Sequence, residues 1–346
     1  MIPHSKPDIG KAEEKAVIDV LRCGQIAKGS AVSALERAFG GYIGVKNAAA
    51  VSSGTAGLHL SLMALGVKQG DEVILPSYTC TALLNAVNYT GATAVLTDID
   101  RDSYNISFDL IKEKLTKKTR AVIVPHMFGC PAAEIAKIIK LGVPVIEDCA
   151  QAAGAMLDGR RVGSFGTVSV FSFYAAKLVC AGEGGMVLCN DRKIMDRVRG
   201  LADYDEKEDY EIRYNYKLTD IQAALAMAQL KRLNGFIKTR KKIAAEYNRA
   251  FSRLQMKLPS ADKGRIYFRY IVETEKNVDE CIAAMEKAGV RCRRPVFKPL
   301  HRYLKLGGFP AAQDAWEKAV SIPIYTSLKN TEIMRIIKIV KALFYP

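Results

Sequence analysis

Lys177 is the only lysine in SVFSFYAAKLVCAGEGGMV (169–187), an otherwise mostly apolar, small-residue stretch that runs into the glycine-rich turn Gly182-Glu183-Gly184-Gly185. A lysine placed there loses hydration, its pKa falls, and its amine can attack a carbonyl to form a Schiff base. The plainer alternative is a lysine that snorkels to solvent. A second segment, VPVIEDCAQAAGA (143–155), ends an apolar run with Glu147 and Asp148. Strand alternation sends these two carboxylates to opposite sides. A buried acid needs a cationic partner, so Asp148 is either an ion-pair member or a functional acid. A third segment, VSSGTAGLHLSL (51–62), is a small-residue turn entering a helix. Ser53, Gly54 and Thr55 would turn backbone N–H groups outward at the positive end of the helix dipole. A phosphate fits there without a basic side chain, although Ser-Gly-Thr also makes an ordinary N-cap.

Taken together, the three features match the needs of one cofactor. Pyridoxal phosphate (PLP) requires a phosphate cradle, a carboxylate opposite its pyridine nitrogen and a lysine for its aldehyde. Asp148 would keep the ring nitrogen protonated. Lys177 would carry the cofactor and, once displaced by an amino donor, move the proton on the substrate carbon.

Such residues converge only if a sheet brings them to one edge. EVILP (72–76), ATAVLTD (92–98), AVIVP (121–125), VPVIED (143–148), VSVFSF (168–173) and GMVLCN (185–190) read as short buried strands. They alternate with helical stretches such as GLHLSLMALG (57–66), which closes on a glycine. The pattern predicts an α/β fold, a mainly parallel sheet sandwiched by helices, in which ligands sit beyond the carboxyl ends of the strands. Near Thr219 the pattern changes. A long helix is predicted from Thr219 to about Leu254, then a strand RIYFRYIVE (265–273) and helices near 278–288 and 331–344. The expected division is a large domain over 1–230 and a smaller C-terminal α+β domain over 231–346.

With 346 residues, 49% of them hydrophobic, the chain can bury a large core. No apolar run reaches bilayer-spanning length and MIPHSKPDIGKAEEK does not resemble a signal peptide, so a cytoplasmic location and no membrane partner are expected. The eight cysteines show no metal-ligand spacing, which predicts free thiols and no metal site. The net charge of +15 lies wholly in the C-terminal third: residues 1–230 hold 26 basic and 26 acidic side chains, residues 231–346 hold 25 and 10. Such a field attracts anions, or is a solvated basic surface.

These blocks, in order, resemble the DegT/DnrJ/StrS family of sugar aminotransferases. The likeness runs from DIGKAEEKAVIDVL through ALERAFGGYIGVKNAAAVSSGTAGLHL, GDEVILPSYTCTALLNAV, VIEDCAQAAGA, GSFGTVSVFSFYAAK, GEGGMV and YNYKLTDIQAALAMAQL to SIPIYTSL. The resemblance implies the type I PLP fold, with Lys177 as Schiff-base lysine, Asp148 as partner of the pyridine nitrogen and Gln151 as a contact to the phenolic oxygen. It makes Gly54, Thr55 and Ser172 phosphate ligands. Asn215 would reach the phosphate from the neighbouring subunit of a homodimer with shared active sites. Cys80 stands where family members commonly stack an aromatic residue on the ring, which makes it a cofactor contact that stacks less strongly, with Tyr78 as a candidate to compensate. The implied reaction moves an amino group from L-glutamate to a nucleotide-linked keto-sugar, with Arg293, Arg294, Lys298 and His301 as candidate diphosphate ligands. Lysine at 177, where dehydratase relatives carry histidine, argues for transamination. Two other readings are an amino-cyclitol aminotransferase or dehydratase on the same scaffold, and a regulatory protein using the basic surface for nucleic acid. No base-reading motif supports the last, and no nucleic-acid partner is expected.

Overall fold

The computed structural model describes residues 1–260 and 262–344. In chain order its strands are β1 (Asn47–Val51), β2 (Glu72–Pro76), β3 (Thr93–Thr97), β4 (Thr119–Pro125), β5 (Val145–Asp148), β6 (Met156–Leu157), β7 (Arg160–Arg161), β8 (Val168–Ser172), β9 (Gly185–Cys189), β10 (Tyr270–Glu273) and β11 (Ala319–Ile322). The helices are α1 (Lys11–Cys23), α2 (Ser30–Ile43), α3 (Gly54–Ala64), α4 (Thr81–Tyr89), α5 (Phe108–Lys112), α6 (Ile135–Ile139), α7 (Arg192–Ala202), α8 (Asp220–Phe251), α9 (Val278–Lys287), α10 (Leu300–Leu304), α11 (Pro310–Lys318) and α12 (Asn330–Phe344).

Seven strands form one sheet in the order β1-β9-β8-β5-β4-β2-β3. Pairings among β3, β2, β4, β5 and β8 are parallel, and β9 runs antiparallel to both its neighbours. The expected mainly parallel α/β sheet is therefore present. Side chains alternate strictly across it. Val168 and Val170 of β8 and Val187 and Cys189 of β9 enter one core with α3, α4 and α7. Phe171, Met186 and Leu188 enter the opposite core with α2 and the start of α8. Both faces are thus covered, which is why these strands read as continuous apolar runs.

α8 opens with a capping box: Thr219 Oγ1 accepts from Gln222 N, and Gln222 Oε1 accepts from Thr219 N. It is continuous for 32 residues, through position 230. Its first part packs Ala223, Ala226, Leu230 and Leu233 on the sheet's core. Its last part packs Ile243, Tyr247 and Phe251 into a separate core with β10, β11, α9 and α12. The N-terminus joins that second core, since Ile2 bridges to Val290 and is buried there. The predicted strand 265–273 is regular only over β10. Its first half is taken by a loop contact, with Ile266 N donating to Gly129 O at 3.0 Å.

Candidate active site

Because β1, β2, β5 and β8 run in one direction, their carboxyl ends open on one edge of the sheet. The segments that leave them enclose a pocket of about 230 Å³ lined by Ser53, Gly54, Thr55, Leu58, Cys80, Ala82, Leu83, Asp148, Ala150, Ser172, Tyr174, Lys177 and Glu183. Seven residues singled out in the sequence — Ser53, Gly54, Thr55, Cys80, Asp148, Ser172 and Lys177 — therefore share one cavity.

The cradle forms at the start of α3. Ser53 is the N-cap, and its Oγ accepts from Ala56 N at 3.0 Å. Ser53 O takes the N–H of Gly57 at 3.0 Å. Among the described residues, the N–H groups of Gly54 and Thr55 have no acceptor, so two donors remain at the positive end of the helix. Gly54 is pressed against β8: a Cβ there would lie 3.0 Å from Ser172 Cβ. A glycine is what lets the Ser172 hydroxyl stand beside those two donors.

Asp148 ends β5 and is buried. Burial pushes its pKa up; the Ala150 N–H and the charges of Lys177 and His126 only partly offset this. Ala150 N donates to Oδ1 at 3.0 Å. An acid in this state lacks a cation, and a protonated pyridine nitrogen would supply one. Its neighbour Glu147 points to the other side and is fully satisfied. It accepts from His126 Nε2 at 2.9 Å and from the N–H groups of Gly163, Phe165 and Gly166 at 2.6–2.7 Å. Burial opposes its charge, yet His126 and those amides hold its pKa below the usual carboxylate range.

Lys177 sits on the loop between β8 and β9. Three backbone bonds close that loop, Phe173 N to Gly184 O, Ala175 N to Gly182 O and Ala181 N to Phe173 O, at 2.8–2.9 Å. Gly184 has φ 139 and lies tight against Leu218, a position that only glycine adopts without strain. Burial lowers the Lys177 pKa. Cys80 and Asp148 oppose that shift and Arg269 adds to it. A lysine whose pKa burial lowers shares one cavity with an acid that has no ion-pair partner and with free amide donors, which fits PLP: Lys177 for the aldehyde, Asp148 for the ring nitrogen, and Gly54, Thr55 and Ser172 for the phosphate.

Other expected residues lie elsewhere. Gln151 is outside the pocket lining, and its Oε1 accepts from Phe128 N at 3.0 Å, bracing a residue whose φ is 57. Tyr78 does not replace an aromatic residue at Cys80. It is fully buried beside Tyr104 and Phe128, with its hydroxyl donating to Ala315 O at 3.3 Å. His301 is likewise not a free anion ligand: it is buried, with Nδ1 2.7 Å from Ser77 Oγ and Nε2 3.1 Å from Gln313 Oε1. Arg294 is engaged by Asp279 at 3.0 Å and lies over Trp316. Arg293 and Lys298 line a separate groove with Arg269, Phe297 and Trp316. Asn215 is exposed and is not among the residues lining the pocket of its own chain. Tyr174 and Glu183 also line the pocket, and neither has a role assigned from the sequence. Their only signal was proximity to Lys177, three residues after Tyr174.

Comparison with known proteins agrees with this geometry. Residues 7–341 match the model of the DegT/DnrJ/EryC1/StrS aminotransferase family. A GDP-perosamine synthase of Escherichia coli O157:H7 is 35% identical over 355 residues, covering 97% of this chain and 96% of that protein. A GDP-perosamine synthase of Vibrio cholerae is 32% identical over 99% of both. Among solved structures, the aminotransferase TlmJ from Streptoalloteichus hindustanus superposes with a TM-score of 0.93 at 32% identity, covering 99% of this chain and 98% of that one. The PLP form of a putative sugar aminotransferase, Spr1654 from Streptococcus pneumoniae, gives 0.91 at 28% identity, covering 99% and 98%. With its lysine, acid and cradle in one pocket, the chain is a PLP-dependent sugar aminotransferase and belongs to the DegT/DnrJ/EryC1/StrS aminotransferase family.

Proposed function

We propose that this enzyme moves an amino group from L-glutamate to a 3- or 4-keto-deoxysugar carried on a nucleoside diphosphate, in two half-reactions at the Lys177 pocket. The observation that carries the reading is the meeting of Lys177 and a buried Asp148 without an ion-pair partner in one cavity beside free amide donors. The GDP-perosamine synthase relatives support the choice of a nucleotide-linked acceptor.

PLP, when bound, supplies an electron sink for the electrons left at the substrate carbon. The protein's part is positional. Asp148 holds a proton on the ring nitrogen. Gly54, Thr55 and Ser172 fix the phosphate. Lys177, displaced as an amine by the donor, takes a proton from the substrate carbon and returns it elsewhere, a task suited to its lowered pKa. Burial around Asp148 keeps that pairing strong by excluding water.

The assembly belongs to the same proposal. Asn215 is exposed and does not line its own pocket, and we assign it to the partner's site in a homodimer. A cytoplasmic location is also proposed: among the described residues no helix is long and apolar enough to cross a membrane. The division near residue 230 is retained as a functional one, with the change of packing partner falling inside α8.

The test is spectroscopic. Protein purified with PLP should show a yellow band that L-glutamate converts to the shorter-wavelength band of the aminated cofactor, and Lys177→Ala should not make this conversion. Adding nucleotide-linked keto-sugars should then restore the yellow band. A protein that takes up no PLP, or a sugar screen with no amination, refutes the reading.

A further inference from the structure

Among the described residues, Arg269 and Arg293, which line the separate groove, and the buried Arg240 form a group of arginines without a carboxylate partner, unused by the proton chemistry. Arg269 rests on Phe268, its Cζ 5.4 Å from the ring centre. Lys177 Nζ lies 5.2 Å from the centre of the same ring. The two cations are therefore at most about 11 Å apart. Arg269 Nη1 is 3.2 Å from His4 Nε2. That histidine is held neutral, its pKa lowered to about 3 by burial and by Arg269, Arg293 and Arg240. Behind it Arg240 is buried and donates to the carbonyls of Tyr267, Phe268 and Ile324, with its Nε unpartnered.

Among the described residues none of these three arginines forms an ion pair with a carboxylate. Burial and Arg293 together lower the Arg269 pKa to about 10. Arg240 is buried, Arg269 half-buried and Arg293 exposed; cations held out of water with no carboxylate are costly, and an arriving anion relieves that cost. Arginine forks match the two oxygens of a carboxylate. The place selects the ligand. A donor whose nitrogen exchanges with Lys177 carries its side-chain carboxylate about 5–6 Å from that nitrogen, by ordinary bond lengths, which lies within the span to Arg269.

We propose that Arg269, flanked by Arg293, is the binding site for the side-chain carboxylate of the amino donor. The assignment rests on the reading that Lys177 holds PLP and that the donor is an acidic amino acid. A carboxylate on the acceptor sugar is the other source of the same chemistry, and the test separates the two.

Single-turnover loss of the PLP band would be followed in the wild-type holoenzyme, Arg269→Met and Arg269→Lys, with L-glutamate and with L-glutamine, which keeps the α-carboxylate and lacks the other. In Arg269→Met the glutamate rate constant at low concentration should fall about 100-fold, the size of a lost charge-assisted pair, and the glutamine constant less than threefold. Arg269→Lys should fall between, having the charge without the fork. Binding of glutarate, which cannot react, should weaken at least tenfold in Arg269→Met by calorimetry, with or without PLP. Unchanged glutamate kinetics, or equal losses for both donors, overturn the proposal. So does a defect confined to amination of the keto-sugar by the preloaded aminated cofactor, which moves the carboxylate to the acceptor. A wild-type protein that takes up no PLP defeats the preceding reading instead. In that case glutarate binding to the apoprotein still decides whether Arg269 holds a carboxylate.

Discussion

Gly54→Ala separates a phosphate cradle from a packing contact. The new methyl would sit 3.0 Å from Ser172 Cβ, 3.4 Å from its Oγ and 3.5 Å from its Cα. Neither side can withdraw. Ser172 pairs with Gly185 across β8 and β9, and a Cβ at Gly185 would already lie 2.7 Å from the Ser53 backbone. Overpacking of this kind costs about 1–3 kcal/mol, and replacing glycine by alanine in a helix returns about 0.5–1 kcal/mol. The apoprotein should thus lose about 0–2.5 kcal/mol. PLP loses more, because the methyl crowds the Ser172 hydroxyl beside the free N–H groups of Gly54 and Thr55. One charge-assisted hydrogen bond forfeited is about 1.5–3 kcal/mol, or about 10–100-fold in Kd. The assay is a PLP titration by absorbance on dialysed protein, alongside thermal melts without cofactor. A Kd within twofold of wild type, accompanied by a clear fall in apo Tm, would refute the cradle and leave Gly54 as a packing residue.

Other substitutions test the remaining assignments. Asp148→Asn should stabilise the apoprotein near neutral pH while slowing the glutamate half-reaction at least about 100-fold. Because burial raises the folded-state pKa of Asp148, the native state binds more protons than the unfolded chain between the two pKa values. Stability therefore falls as pH rises through that window, by about 1.4 kcal/mol for every pH unit the window spans. Melts across acid to neutral pH should show the Asn gain at neutral pH and none in acid. His301→Ala should cost about 1–3 kcal/mol in urea unfolding through the lost Ser77 and Gln313 contacts, with the half-reaction rate within threefold of wild type; a selective kinetic loss would return His301 to the site. Mixing inactive Lys177→Ala with Asn215→Ala subunits should restore activity, since a hybrid dimer rebuilds one intact site. No restoration would remove Asn215 from the partner's pocket.

Local pattern carried most of the sheet. EVILP is β2 to the residue, because a strand covered on both faces is apolar throughout and is bounded by turn residues. β1, NAAAV, was invisible, since alanine favours helix and only its place between β9 and two helices makes it a strand. RIYFRYIVE looked like one strand, but the turn at Met127–Gly129 claims its first half. The turn at Ser53–Thr55, Asp148 and Lys177 stand out in the sequence because each lies at or shortly after the carboxyl end of an apolar strand. His301 and Tyr78 do not, since their partners Gln313 and Ala315 are remote in sequence.

Glu147 and Asp148 show what decides the role of a buried acid. Both end the same strand, both are out of water, and alternation sends them to opposite sides. Glu147 meets four donors, three of them backbone N–H groups from the turn at 163–166. It is ionised and fully partnered, and it anchors that turn and His126. Asp148 meets one backbone N–H group. Its remaining acceptor capacity faces the pocket, so its charge waits for a cation that the chain does not provide. Nothing in the pair Glu-Asp distinguishes them, because three of the donors that satisfy Glu147 enter sixteen or more residues later and the fourth, His126, lies 21 residues earlier. Function at this strand end is the carboxylate left without enough partners. Supplying a further donor to Asp148 from the protein would lower its pKa, stabilise the apoprotein and weaken its hold on the cofactor.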